Sequence, residues 1–287
     1  MKHMQRRTFI KTMGMAFTAA SLPGMLYAQK AESKLPSFGI ITGNTGGDWV
    51  KNNPKEALRE IARLGYRELE FGDSYGMTVA DLKIFLKEIG LTPLIGATSM
   101  QAMNDIDQLK KDIDTCKEFD KKYIICYWPW TDDGQNKKLD DWKQVAENLN
   151  KGGEICKKNG LQLLFHNHDI EFKRTEGQIP FDILMSNLDE NYVNIELDLY
   201  WIIKGEQSAV EYIKKYPGRY PVFHVKDMDH TPEKSFACVG EGKIDFREIF
   251  KLHEIAGVKH YMVEHDQPAD PKACITTAAD YLSALRF

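Results

Sequence analysis

The 287-residue chain is poor in cysteine: it has five, Cys116, Cys126, Cys156, Cys238 and Cys274, scattered with no CxxC spacing. The odd count argues against a disulfide framework, and Cys126 falls in an apolar run and reads as core. Beyond residue 28 no apolar run reaches about 18 residues, so no membrane span is expected. Basic clusters are also missing. Setting aside four basic residues before residue 28, 34 of the 38 Lys and Arg remain against 42 Asp and Glu, a net charge of −8. A mildly acidic body lacks the electrostatic footprint of a nucleic-acid-binding protein. The G-x-G-x-x-G phosphate turn of an open doubly wound sheet is absent. Gly43-Asn44-Thr45-Gly46-Gly47 is glycine-rich without that spacing and reads as a loop.

The opening stretch lacks acids: none precedes Glu32, while Lys2, Arg6, Arg7 and Lys11 are basic. With the mostly apolar run Gly14 to Leu26 and the small Ala28, residues 1–28 read as an export signal. The run Arg6-Arg7-Thr8-Phe9-Ile10-Lys11 matches the twin-arginine pattern, so the expectation is periplasmic export in folded form. No cysteine stands near the cleavage point, which argues against a lipid anchor. Residues 29–37 read as a linker and 38–287 as one domain.

What is present is a regular beat. Apolar strand-like runs at Phe38–Thr42, Tyr66–Phe71, Thr92–Ala97, Tyr123–Trp128, Leu161–His168, Asn194–Trp201, Pro221–Lys226 and His260–His265 alternate with helical spacings. The helical stretches are Pro54–Leu64, Thr78–Ile89, Asp105–Phe119, Asp140–Lys158, Pro180–Leu188, Ser208–Tyr216, Asp245–Ala256 and Pro271–Leu285. Strict strand–helix alternation implies a parallel sheet covered by helices. Eight units over about 250 residues favour a closed (β/α)8 TIM barrel.

In such a barrel the C-terminal strand ends carry the site. Residues two apart on a strand share a face. The fifth strand then offers His166 and His168, the sixth Glu196 and Asp198, the seventh His224 and Lys226, and the eighth Glu264 and Asp266. Glu70 ends the second strand, and Trp128 and Trp130 lie around the end of the fourth. Each pair has a bland alternative: hydrogen-bonded core histidines, a Glu196–Lys226 ion pair, or Asp266 as a helix cap. Together, four inward ionisable pairs carry a burial cost that one divalent cation removes by coordinating carboxylates and imidazoles.

The alternation, with H-N-H-D-I-E-F, E-L-D-L-Y-W, H-V-K-D and V-G-E-G-K-I-D-F, resembles the sugar isomerase/epimerase group of xylose-isomerase-like barrels from about Phe38 onward. The superfamily it resembles includes ketose 3-epimerases, inosose dehydratase, 3-keto-glycoside epimerases and lyases, and the endonuclease IV type of DNA repair enzyme. The resemblance implies a metal held at the ends of the fifth to eighth strands. Asp198, His224 and Glu264 carry over directly. The fourth ligand departs from the pattern, since the epimerases have glutamate on the fifth strand where this chain has His166-Asn167-His168. One of the two histidines is expected as ligand and the other as a substrate or proton contact.

The expected chemistry is proton removal next to a carbonyl, with the cation stabilising the enediolate. Mixed oxygen and nitrogen ligation suits Mn, Co, Zn or Mg. Lys226, Glu196, Glu264 and the non-ligating histidine are the candidate proton-transfer groups, and Lys226 is an alternative carbonyl-polarising cation near the rim. Trp128, Trp130, Tyr200 and Trp201 suit stacking on a sugar face or core packing. Glu70 is a candidate substrate contact, and Glu171 is expected to position the fifth-strand histidines, bind a hydroxyl or form a surface salt bridge. The expected partner is a small unphosphorylated sugar, with no nucleic acid and no membrane span; nothing in the sequence excludes an oligomer. The competing classes are a lyase or hydratase of 3-keto sugars, a phosphodiesterase of the endonuclease IV kind, and a non-catalytic sugar-binding barrel.

Overall fold

Among the described residues ten strands form: β1 Gly39–Ile41, β2 Glu68–Glu70, β3 Thr92–Thr98, β4 Tyr123–Cys126, β5 Gln162–His166, β6 Val193–Asp198, β7 Val222–Val225, β8 Asp227–Met228, β9 Phe236–Ala237 and β10 His260–Val263. The computed structural model describes residues 32–287, and the expected export signal lies outside the described residues. Eight strands close a barrel in the order β1-β10-β7-β6-β5-β4-β3-β2, and every neighbouring pair is parallel. The short β8–β9 pair is antiparallel and lies just beyond the C-terminal end of β7. This is the (β/α)8 architecture that the alternation of periods implied.

Inside the barrel, Leu94, Ile95, Tyr123, Ile125, Leu164, Val222 and Met262 form an apolar plug of their own. On β5, β7 and β10 the plug residues Leu164, Val222 and Met262 lie two positions below His166, His224 and Glu264, so the ionisable cluster sits directly above an apolar layer. Outside, the apolar stripes of the helices pack on the opposite strand faces in one larger core. At Gly39 the barrel is tight: a Cβ there would fall 2.6 Å from the Met262 sulfur and 2.7 Å from the Glu68 carbonyl.

Several boundaries differ from expectation, each for a local reason. Strand β6 stops at Asp198, where the expected strand ran to Trp201. The Asp198 carboxylate accepts the Trp201 N–H at 2.7 Å and caps a helix over Leu199–Lys204. Strand β5 stops at His166, so His168 sits in the following loop. The Gly43–Gly47 stretch is helical, not a loop: it lies within Thr42–Asn52, which kinks at Gly47 (φ 47°, ψ −140°). Asp245–Ala256 divides into Phe246–Phe250 and His253–Ala256. Part of the expected linker is packed: Leu35 is buried, and Ser33 and Phe287 exchange backbone hydrogen bonds of 2.6 and 3.0 Å. The odd cysteine count conceals one bridge, Cys238–Cys274, while Cys116, Cys126 and Cys156 are buried free thiols.

Candidate metal centre

The polar residues of the strand ends converge. His166 on β5, Asp198 at the end of β6, His224 on β7 and Glu264 just after β10 are all buried, and one donor atom from each lies within 4.8 Å of the others. His224 Nδ1 is 2.9 Å from Glu264 Oε2. Asp198 Oδ2 is 3.9 Å from His166 Nε2 and 4.0 Å from His224 Nδ1, and it is buried with no hydrogen-bond partner. Its other oxygen serves the helix cap. Of the two fifth-strand histidines, His166 belongs to this cluster and His168 does not.

Directly below lies a second layer. Glu196 Oε2 is 3.2 Å from His166 Nδ1 and 3.1 Å from His224 Nε2. Glu70 Oε2 is 3.0 Å from His224 Nε2, and its other oxygen accepts a hydrogen bond from the Tyr127 hydroxyl. Glu70 is thus a support beneath the histidines, a different place from the substrate contact expected of it. Glu171 is fully buried and accepts the His168 backbone N–H at 2.8 Å, which fixes the loop carrying His168, the positioning role among its expected alternatives.

Lys226 differs most from expectation. It is not at an open rim: only 1% of it is exposed. Its Nζ lies 2.7 Å from Asp266 and 3.2 Å from Glu264. The Trp201 and Phe236 rings cover it at 4.9 and 4.8 Å. Asp266 is committed to this lysine; the last helix is capped by Asp270 instead. His168 stands between Trp128 and Trp201, each ring 5.3 Å away, and its Nδ1 is buried without a partner. Trp128 is 37% exposed at the mouth. Trp130 packs on Trp142, and the Tyr200 hydroxyl donates to the Lys234 carbonyl, so both belong to the scaffold.

The electrostatics describe a cluster short of positive charge. Glu70, Glu196, Asp198, Glu264 and Asp266 face one lysine and two histidines. Burial pushes the Asp198 carboxyl up to about 8. Burial, with Glu70 alongside, also pushes Glu196 well up. Burial opposes charge on His224, yet Glu196, Glu70 and Glu264 outweigh it and raise its basicity well above the usual imidazole range. The carboxylates Glu264, Asp198 and Asp266 similarly outweigh burial at Lys226 and keep it an ammonium. Burial, with His224 and His168 nearby, holds His166 neutral, and burial lowers His168 to about 4. A divalent cation among these donors would displace the extra protons and pair the orphaned Asp198 oxygen, so the residues fit such an ion.

Sequence patterns did not reveal Asn44, Asn167, Tyr127 or Phe236. Asn44 donates to Glu264 Oε1 at 3.0 Å and to Asp266 at 3.1 Å from the helix that had read as a loop. Asn167 accepts the Asp198 N–H at 3.0 Å, tying the outer face of β5 to β6. The H-N-H alternation, which turns Asn167 away from the histidines, was the available signal for that tie.

Among known proteins, a stretch of 166 residues is 30% identical to an inosose dehydratase of Clostridium perfringens, covering 52% of this chain and 51% of that protein. The chain thus spans about half the length of this curated relative. A solved sugar phosphate isomerase/epimerase from Parabacteroides distasonis superposes with a TM-score of 0.74 at 26% identity, covering 90% of this chain and 96% of that one. The IOLI protein, solved with a bound zinc atom, superposes with a TM-score of 0.67 at 18% identity, covering 85% and 95%. The first two relatives are enzymes by name, one for an inosose and one for sugar phosphates. The family described as xylose isomerase-like TIM barrel matches residues 58–285, a span holding seven of the eight barrel strands, and the chain belongs to that family.

Proposed function

We propose that the protein is a divalent-metal-dependent enzyme that removes a proton next to a carbonyl on an unphosphorylated keto-sugar or glycoside, with isomerisation or epimerisation as the outcome. The observation that carries this reading is the buried convergence of His166, Asp198, His224 and Glu264 beside Lys226 and His168. When bound there, a divalent ion such as Mn, Co, Zn or Mg supplies Lewis acidity toward a carbonyl and its neighbouring hydroxyl. The zinc in the IOLI protein supports an ion of this class.

The chain's own groups do the rest. Lys226 remains charged and offers its ammonium to the oxygen on which negative charge develops. His168 is neutral at pH 7, has a nitrogen without a partner, and stands beside His166, so it is the proton acceptor. Trp128 and Trp201 flank that imidazole and offer apolar faces to a sugar ring. Phe236 and Trp201 cover Lys226 and keep water from it. Lys226 is already committed to Glu264 and Asp266, which supports a substrate without a phosphate.

A second reading shares the same first step. If the carbanion expels a β-hydroxyl or glycosyl oxygen instead of being reprotonated, the enzyme is a lyase or dehydratase. The inosose dehydratase relatives favour that reading. Export through the twin-arginine run and one catalytic barrel over residues 38–287 complete the proposal. The Cys238–Cys274 bridge supports an oxidising compartment.

Proton exchange in D2O over a panel of keto-sugars and 3-keto-glycosides, with added Mn, tests the reaction class. Deuterium should enter at one carbon next to the carbonyl. Lys226→Met should slow exchange by about 100-fold or more while retaining metal. No exchange with any panel member in metal-loaded protein contradicts the reading.

A further inference from the structure

Glu196 looked like a catalytic candidate in the sequence, but it lies one layer beneath the four-donor cluster. On β6 it shares a face with Asp198 and sits two residues deeper, directly across from His166 on β5. It is fully buried. One oxygen, Oε2, meets His166 Nδ1 at 3.2 Å and His224 Nε2 at 3.1 Å, so a single atom sits between two imidazoles.

The two rings present different nitrogens to it. Asp198 Oδ2 correspondingly faces Nε2 of His166 at 3.9 Å but Nδ1 of His224 at 4.0 Å. A neutral imidazole has one N–H and one bare nitrogen, and the hydrogen bond made by one decides which nitrogen is left for a cation. A carboxylate oxygen that accepts from His166 Nδ1 and lies 3.1 Å from His224 Nε2, with Glu70 accepting at that same nitrogen, favours Nδ1–H in His166 and Nε2–H in His224. Once a cation displaces the extra proton of His224, the nitrogens left to it are His166 Nε2 and His224 Nδ1, the two that face Asp198 and Glu264.

Resting on the metal reading above, we infer that Glu196 is a positioning residue: its one buried oxygen sets opposite tautomers in the two histidine ligands. Glu70 duplicates half of this task, because its Oε2 reaches His224 Nε2 at 3.0 Å but no contact joins it to His166 among the described residues. Glu196 is the group common to both rings. Its side chain is fully buried a layer beneath the four donors, so its effect on turnover runs through the histidines.

The test is zinc affinity of the full chain, measured by competition with a chelator, for wild type and Glu196→Gln. Glutamine keeps the shape but offers a weaker acceptor and buries an unpaired NH2 group. Affinity should fall about 10–100-fold. The metal-free variant should still fold, because His224 keeps Glu70 and Glu264 as partners. In zinc-loaded wild type, two slowly exchanging imidazole N–H protons should appear far downfield in the proton NMR spectrum, and at least one should be lost in the variant. Wild-type affinity with both N–H signals retained overturns the inference. If Glu196→Gln does not fold, Glu196→Asp keeps the charge and withdraws the oxygen. It should show the same loss, and wild-type affinity in it overturns the inference equally. A wild type that takes up no zinc overturns the metal reading itself. A zinc-binding wild type matched by its Glu196 variants overturns only the positioning role.

Discussion

Burial gives individual side chains their properties here. Glu171 is the clearest case. It follows the H-N-H run, its carboxyl is fully enclosed, one oxygen accepts the His168 N–H, and the other has no partner. Burial raises it from the ordinary 4.5 to about 8. Below pH 4.5 it is protonated in both folded and unfolded chains. Between 4.5 and 8 the unfolded chain ionises it and the folded chain does not, so its contribution to stability declines as pH rises through that window and levels off above it. Glu171→Gln removes this penalty while keeping an acceptor for the His168 amide. Denaturation of metal-free protein from pH 4.5 to 8.5 should show the variant gaining on wild type as pH rises, by at least about 1 kcal/mol at the upper end. Parallel curves would contradict the assignment. At this scale the sequence was partly legible. The residues able to ligate could be named from period-two spacing alone. The depth of Glu70, Glu196 and Lys226 could not, because depth depends on the stagger between neighbouring strands, and no single strand encodes it.

Among the elements, the segment after β7 shapes the mouth. The motif H-V-K-D carries a site residue, Lys226, next to a structural one, Asp227. The Asp227 carboxylate accepts N–H groups from Met228, Gly240, Gly242 and Ile244 at 2.8 to 3.1 Å. A Cβ at position 242 would fall 2.2 Å from an Asp227 oxygen, which explains the second glycine of V-G-E-G-K. The segment so held carries Phe236 over Lys226, and the Cys238–Cys274 bridge ties it to the last helix. Asp227→Ala should therefore cost about 2–4 kcal/mol. It should also open residues 229–243 to proteolysis while zinc affinity is preserved, because no donor of the cluster lies there. Unchanged stability and proteolysis would show that the bridge alone holds the segment. The motif was visible in the sequence, but the pairing of its aspartate with glycines thirteen and fifteen residues on is a tertiary fact. The Asp198 cap had a local signal, an aspartate before a possible helix. The β-rich run around it, N-I-E-L-D-L-Y-W, masked that signal.

For the whole molecule, the alternation of periods was enough to read the barrel, because each strand–helix unit repeats the same local pattern and closure follows from eight such units. Closure in turn brings four strand ends, spread over about 100 residues of sequence, to one buried cluster. The central claim is that this cluster holds a cation through His166, Asp198, His224 and Glu264. Calorimetric titration of Zn into chelator-stripped full-length protein tests it directly. The account predicts one site per chain, weakened at least about 100-fold in His166→Ala and retained within about threefold in His168→Ala. No uptake by the wild type, or loss in His168→Ala with normal binding in His166→Ala, would contradict it.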